Sequence, residues 1–161
     1  MRSAVPKSLP VIRPLAAEDL EQVLAIERAS YPFPWTRGIF EDCLKAGYAC
    51  FGGLIDGELV AYALHNHGAG EAHLLNLCVH PEFRSRGLGR LLLRHVLDHA
   101  RAIGCLVVFL EVRPSNPAAI TLYRDEGFDV IGKRPGYYPA ATGREDAVVM
   151  RLGLTPTPPL M

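Results

Sequence analysis

The stretch from Leu88 to Val112 constrains the fold more than any other part of the chain. Leu88, Leu91, Leu92, Val96, Ala100 and Ile103 recur at helical spacing, Gly104 stands where a C-cap belongs, and Cys105–Val112 is almost continuously apolar. A strand with no polar face must be covered on both sides, which is the environment of a parallel strand in the middle of a sheet. The strand Glu71–Val79 lies just before this helix, so the order is strand, helix, strand. That order supplies the crossover a parallel pair needs.

The first half of the chain has a different rhythm. Val11-Ile12-Arg13 is a short strand, and Ala17–Ala29 is a helix with Leu20, Val23, Leu24 and Glu27 on one face. Tyr31-Pro32-Phe33-Pro34-Trp35 ends it, because neither proline can continue a helix. Thr36 is placed to cap a second helix over Thr36–Lys45. Strands follow at Tyr48–Ile55, Glu58–His67 and Glu71–Val79. They are joined by Asp56-Gly57, a hairpin pair that tolerates positive φ, and by His67-Gly68-Ala69-Gly70. This is an antiparallel meander. After the parallel strand, Asn116-Pro117 starts a helix that runs to Glu126 and stops at Gly127. Two strands, Asp129–Arg134 and Ala147–Leu152, flank a tyrosine-containing loop. The fold class is α+β, a mixed sheet of about seven strands with about four helices packed on it.

A chain of 161 residues fits one domain, here residues 9–153, with a flexible extension at 1–8 and a proline-rich tail at 154–161. Lysines plus arginines and aspartates plus glutamates number 17 each, so the charge balance gives no footprint for duplex nucleic acid. No apolar run approaches the roughly 18 residues of a membrane span, and the basic N-terminus lacks the apolar core of a signal peptide. The expectation is a cytoplasmic protein without nucleic acid or membrane partners, monomeric or weakly dimeric. Cys43, Cys50, Cys78 and Cys105 form no CxxC pair and read as reduced, buried thiols. His65, His67, His73 and His80 fall in the meander, and His95 and His99 are four apart on a helix. None has a third ligand at a known metal spacing, so they read as solvated or capping residues and no metal is expected.

Chemistry concentrates between Val79 and Arg90. A strand ends, Arg84-Ser85-Arg86-Gly87-Leu88-Gly89-Arg90 follows, and a helix begins. Glycines at a helix mouth let the backbone approach a ligand, and the helix N-terminus offers unpaired N–H groups with partial positive charge. The arginines add full charges. This is a physically sensible pyrophosphate cradle, although a tight strand-to-helix turn would use the same glycines. A Walker loop would need Lys-Ser or Lys-Thr after its last glycine, and a dinucleotide fingerprint would need a small residue at Leu92.

The pattern Arg84-x-x-Gly87-x-Gly89 resembles the acetyl-CoA signature of the GCN5-related N-acetyltransferase (GNAT) family, in its expected place between the fourth strand and the long helix. Phe33-Pro34-Trp35, Glu71–Asn76, Leu110–Asn116, Leu122-Tyr123, Gly127-Phe128, Tyr137-Tyr138-Pro139 and Gly143–Ala147 are similar, in order, to members that acetylate the N-terminal alanine of a ribosomal protein. The resemblance implies the GNAT fold and acetyl-CoA as cosubstrate, lodged where the fourth and fifth strands splay. It also implies a protein N-terminus, that of ribosomal protein S18, as acceptor. Leu77, Cys78 and Val79 would hold the pantetheine and acetyl portions through their backbone. Ser85, Arg86, Gly87, Leu88, Gly89 and Arg90 would hold the pyrophosphate. Asn116 would contact the cofactor, or N-cap its helix, or both. Glu111 matches the family's general base, and Tyr123 its general acid.

The residues themselves allow these roles and others. Glu111 sits near the end of an apolar strand, where burial would raise its pKa toward neutrality; a salt bridge to Arg113 or Arg134 is the other reading. Tyr123, as a phenol, is protonated at neutral pH and able to reprotonate a thiolate, but equally could be a core residue. Tyr137, Tyr138 and Gly143–Asp146 either border the acceptor, with Glu145 or Asp146 meeting a cationic second residue, or form a hairpin with satisfied charges. Other protein N-termini, lysine side chains or a small amine are alternative acceptors, and a non-catalytic acyl-CoA-binding module is the alternative class.

Overall fold

A computed structural model describes residues 9–155 of the chain; the expected N-terminal extension and the last six residues of the expected tail lie outside them. In chain order the elements are β1 (Val11–Pro14), α1 (Leu20–Ser30), α2 (Arg37–Lys45), β2 (Ala49–Ile55), β3 (Glu58–Gly68), β4 (Glu71–Val79), α3 (Leu88–Ala102), β5 (Val107–Val112), α4 (Pro117–Asp125), β6 (Asp129–Pro139) and β7 (Arg144–Gly153). The seven strands form one sheet in the order β1-β2-β3-β4-β5-β7-β6. β4 and β5 are parallel, with Glu71 to Leu74 opposite Val107 to Leu110, while β1–β2, β5–β7 and β6–β7 are antiparallel. The chain groups into two compact units. One comprises the residues up to Leu64 with Asn76–His95, the other His65–Leu75 with the residues from Val96 onward.

In the first unit, α1 buries Leu20, Val23, Leu24 and Glu27 as its periodicity predicts, and Ile26 with them. The predicted first turn of that helix, Ala17–Asp19, is a 3-10 turn, where Asp19 accepts from the Ala16 N–H at 2.8 Å and from Arg13 at 2.8 and 2.9 Å. The Arg13 hydrogen bond is the main reason the Asp19 carboxyl lies below its ordinary range. Phe40 of α2 packs between Trp35 and Tyr62, with ring centroids 5.3 and 5.7 Å away. Thr36 caps α2, its hydroxyl oxygen accepting from the Ile39 N–H at 3.4 Å. Glu27 is 1% exposed yet has no cationic partner among the described residues. It accepts from the Trp35 N–H at 2.8 Å, from Asn76 Nδ2 at 3.0 Å and from the Tyr62 hydroxyl, so a buried carboxylate is satisfied by neutral donors alone.

In the second unit, Val108, Leu110, Ala147 and Met150 of β5 and β7 are buried, with Phe128 and Tyr123 packed edge to face at 5.7 Å. The predicted strand start at Cys105 is a helix cap instead. Gly104, at φ 90, donates to Arg101 O, and Cys105 donates to Ala100 O, a Schellman closure that delays the strand to Val107. Leu154 continues past β7, buried and donating to Leu106 O at 2.8 Å. β6 is longer than predicted. The tyrosine-containing segment is strand through Pro139, paired with β7 across a register shift between Arg134 and Tyr138, and the bulge hides the alternation that would have marked it.

Two helix-face assignments change. Leu91 of α3 and Ile103 just past its end are 42% and 40% exposed, whereas Leu93 and Leu97 are buried along with Leu92, Val96 and Ala100. An all-leucine run at Leu91-Leu92-Leu93 leaves its stripe ambiguous by one residue, and packing chose the other face. No helix among the described residues is long and apolar enough to cross a membrane.

Candidate active site

Glu111 is on β5, one residue before its end, and its side chain is 6% exposed. Because the parallel register sets His73 opposite Phe109, His73, Phe109 and Glu111 share one face of the sheet. His73 Nε2 is hydrogen-bonded to Glu111 Oε2, and Arg134 Nη2 of β6 lies 3.3 Å from Oε1. Burial raises the Glu111 carboxyl, but the His73 hydrogen bond, His73 charge and Arg134 charge together outweigh it and hold the group below its ordinary range. The expectation of a pKa raised toward neutrality is thereby corrected: the apolar strand explains the burial, while the compensating partners, His73 and Arg134, come from β4 and β6. The expected salt bridge to Arg134 is present. Arg113 instead faces Glu145 at 3.1 Å.

Around that carboxylate the second unit is laced with polar contacts. Glu145 accepts from Arg113 and from the N–H and hydroxyl of Ser115, and these bonds, opposing its burial, place it below the ordinary carboxylate range. Asp146 accepts from the Gly136 N–H at 2.9 Å. Both acids expected to meet a cationic acceptor thus already have partners, Asp146 within the hairpin and Glu145 in the segment after β5, which agrees with the reading of satisfied charges. Tyr138 lies under the Arg113 guanidinium, 4.4 Å from ring centroid to carbon, and Tyr137 under Arg134 at 5.5 Å. Burial pushes the Tyr138 phenol above its ordinary value. Tyr123 of α4 is buried, and Tyr138 and Glu111 are close enough to interact electrostatically, as are Tyr138 and Tyr123. Asn116 performs its capping role, Oδ1 accepting from the Ala119 N–H at 3.2 Å.

The predicted cradle belongs to the first unit and is built from main chain. Cys78 is buried, while Leu77 and Val79 are half-buried. Arg84 Nε donates to Val79 O at 3.1 Å and Tyr31 hydroxyl to Leu77 O at 3.4 Å, so these two carbonyls already have partners. Ser85 and Gly87 both adopt positive φ, 63° and 80°, and Ser85 through Gly87 is exposed. The sequence marked the glycines but not Ser85, whose left-handed backbone is unusual for a side-chain-bearing residue. A Cβ added at Gly87 would meet no atom within 4 Å, so the space above this backbone is open. Leu88 is buried and anchors the start of α3, Gly89 and Arg90 are half-buried, and Arg86 lies over Phe83 at 5.2 Å. Open backbone, the N-terminus of a fifteen-residue helix and flanking arginines fit a phosphate-bearing ligand.

Burial raises all four thiols, Cys50 to about 12, which argues against a cysteine nucleophile. The histidines are less solvated than expected. His80 caps a turn by accepting from the Glu82 N–H, but His65 is fully buried against His99 at 3.0 Å, its pKa pushed down to about 4 chiefly by burial, and His73 is the partner of Glu111. His73 is the Glu111 partner that the sequence reading missed. The available signal was parity: in a parallel β4–β5 pair it falls on the same face as Glu111.

With this architecture and these residues, the chain belongs to the acetyltransferase (GNAT) family, whose pattern it matches over residues 20–128, and it is an N-acetyltransferase. Among its relatives is the [ribosomal protein bS18]-alanine N-acetyltransferase of Salmonella typhimurium, 38% identical across 88% of this chain and 95% of that protein. The enzyme of the same name from Escherichia coli K12 is 38% identical across 89% and 97%. The crystal structure of the Escherichia coli ribosomal-protein-S18-alanine N-acetyltransferase superimposes with a TM-score of 0.86 at 36% identity, covering 93% of this chain and 97% of that one.

Proposed function

We propose that this enzyme transfers the acetyl group of acetyl-CoA to the α-amine of the N-terminal alanine of ribosomal protein S18, by direct attack in a ternary complex. The observation that carries the reading is Glu111: an ionised carboxylate on a buried side chain near the end of β5, the strand paired in parallel with β4, in a chain alike nearly end to end to enzymes of that name. The loop from Ser85 to Arg90 holds the pyrophosphate through backbone N–H groups, and Leu77, Cys78 and Val79 hold the pantetheine and acetyl portions. Asn116 adds a cofactor contact from a side chain whose amide nitrogen is left by the cap. Acetyl-CoA supplies the activated acyl group.

An N-terminal ammonium has a pKa of about 8 in peptides and is not nucleophilic until it loses a proton. Glu111 takes that proton, directly or through a water, so the amine lone pair is free to attack the thioester carbonyl. Tyr123, protonated, gives its phenolic proton to the departing thiolate. The attacked nitrogen still carries one proton too many, which passes to solvent as the C–S bond breaks; with the proton shed by Glu111 it makes good the one Tyr123 has given to sulfur, so each turnover releases one net proton.

The test mixes enzyme, acetyl-CoA and a hexapeptide copied from the N-terminus of S18, and follows free thiol. Thiol release with this peptide but not with its Nα-blocked form is the expected result. Release with lysine or polyamines and not with the peptide would replace the acceptor, and cofactor binding without turnover would replace the class.

A further inference from the structure

We propose that Glu27 is a positioning residue for acetyl-CoA: through Asn76 it sets the path of Leu77–Val79, and with it the grip on the pantetheine and acetyl arm. The inference rests on the roles proposed above for that segment and for the Ser85–Arg90 loop. The parallel register with β5 runs from Glu71–Val107 to Leu74–Leu110, while β4 continues to Val79. Beyond Leu74 the strand keeps β3 beside it, with the His80 N–H donating to Val60 O at 2.7 Å, but its other edge has left that register. Side-chain anchors must then fix its course, and the end of α1 supplies them. Asn76 Nδ2 donates to Glu27 Oε1 at 3.0 Å, the Tyr31 hydroxyl donates to Leu77 O at 3.4 Å, and the hydroxyls of Tyr31 and Tyr62 reach the Cys78 thiol. Three consecutive residues of β4 are held in this way.

Glu27 is suited to that task. Its Oε2 accepts from the Trp35 N–H at 2.8 Å, a main-chain donor that cannot rotate away, so the carboxylate is fixed and Oε1 faces Tyr62 and Asn76. A leucine at this buried position would add apolar surface to the core, but apolar attraction has no direction. Hydrogen bonds need alignment as well as distance, so the carboxylate specifies where Asn76 lies in a way an apolar side chain does not. Leu77 follows Asn76 directly, and a displaced Asn76 carries the cofactor-holding backbone with it.

The experiment measures, by calorimetry, affinity for acetyl-CoA and for adenosine 3′-phosphate 5′-diphosphate, the cofactor without its pantetheine arm, with melting temperatures alongside. Glu27→Leu and Asn76→Leu should each bind acetyl-CoA about tenfold more weakly and the nucleotide within about twofold of wild type. The double variant should lose no more than the weaker single variant, because both cut one link. Glu27→Gln can turn its carbonyl to the Trp35 N–H and its amide N–H to a turned-over Asn76, so it should lose about threefold or less. Val23→Ala, a cavity on the same helix, should lower the melting temperature and leave both affinities alone. Full acetyl-CoA affinity in Asn76→Leu would overturn the inference, as would an equal loss of the nucleotide, the same loss in Val23→Ala or additive losses in the double variant. If Glu27→Leu fails to fold, Glu27→Gln in the Asn76→Leu background decides, since it should then cost nothing further. Wild type separates the two readings. If it binds acetyl-CoA no tighter than the nucleotide, the role of Leu77–Val79 fails; if it binds tighter and Asn76→Leu keeps the same margin, only the inference fails.

Discussion

The Val79–Arg90 loop and the Glu111 neighbourhood reach their chemistry by opposite means. The loop works with main chain: positive φ at Ser85 and Gly87, open space above the backbone, and the start of a fifteen-residue helix. The Glu111 neighbourhood works with side chains, and each of its glutamates is held by partners from elsewhere in the chain, Glu111 by His73 and Arg134, Glu145 by Arg113 and Ser115. A backbone cradle is local and leaves its mark in consecutive residues. A side-chain constellation is assembled from β4, β5 and β6, so its members are scattered through the chain and its electrostatics cannot be read from any one of them.

That contrast can be broken by asking which step each substitution damages. The largest effect is expected from Glu111→Gln, which keeps shape and hydrogen bonding but cannot take a proton: kcat should fall about a hundredfold or more with acetyl-CoA affinity unchanged. Tyr123→Phe should lower kcat at least about tenfold by the same measurement, again without weakening acetyl-CoA. Gly87→Val should do the reverse. Its backbone strain, of order 1–3 kcal/mol, and a side chain in the open space should raise the acetyl-CoA Kd about tenfold by calorimetry while kcat at saturation moves little. If Gly87→Val lowers saturated kcat as much as Tyr123→Phe does, the division between holding and chemistry is wrong.

The smallest effect concerns stability alone. Asp19 is held below its ordinary value by Arg13, so this pair contributes stability that is present above the unfolded-state pKa of about 4 and lost as pH falls through the lower folded value. Asp19→Asn should therefore lower the melting temperature by a few degrees at pH 7, and the difference should shrink toward pH 3, with kcat unaffected. An undiminished gap in acid would mean the ion pair is not its source.

The same physics decides what the sequence could disclose. Thr36 and Asn116 were legible as caps because a cap is a short-range hydrogen bond, and the meander was legible because Asp56-Gly57 and Ala69-Gly70 both turn with positive φ. Glu27 was visible as a member of the buried α1 face. Its donors were not, since Trp35, Tyr62 and Asn76 come from three other places in the chain. The direction of the Glu111 shift was missed for that reason too: burial is a property of a strand's own apolar neighbours, whereas His73 and Arg134 arrive by register. The Leu91–Leu93 stripe and the Tyr137-Tyr138 strand failed differently, through a degenerate apolar run and a bulge.

Glu27 carries one more consequence. By gripping the Trp35 amide from inside the core, it turns the proline-flanked bend that presents Phe33 into a fixed ledge rather than a swinging flap. That phenylalanine is 43% exposed and stands two residues from the anchored amide, so contact with it would cost less chain ordering than contact with an untethered loop.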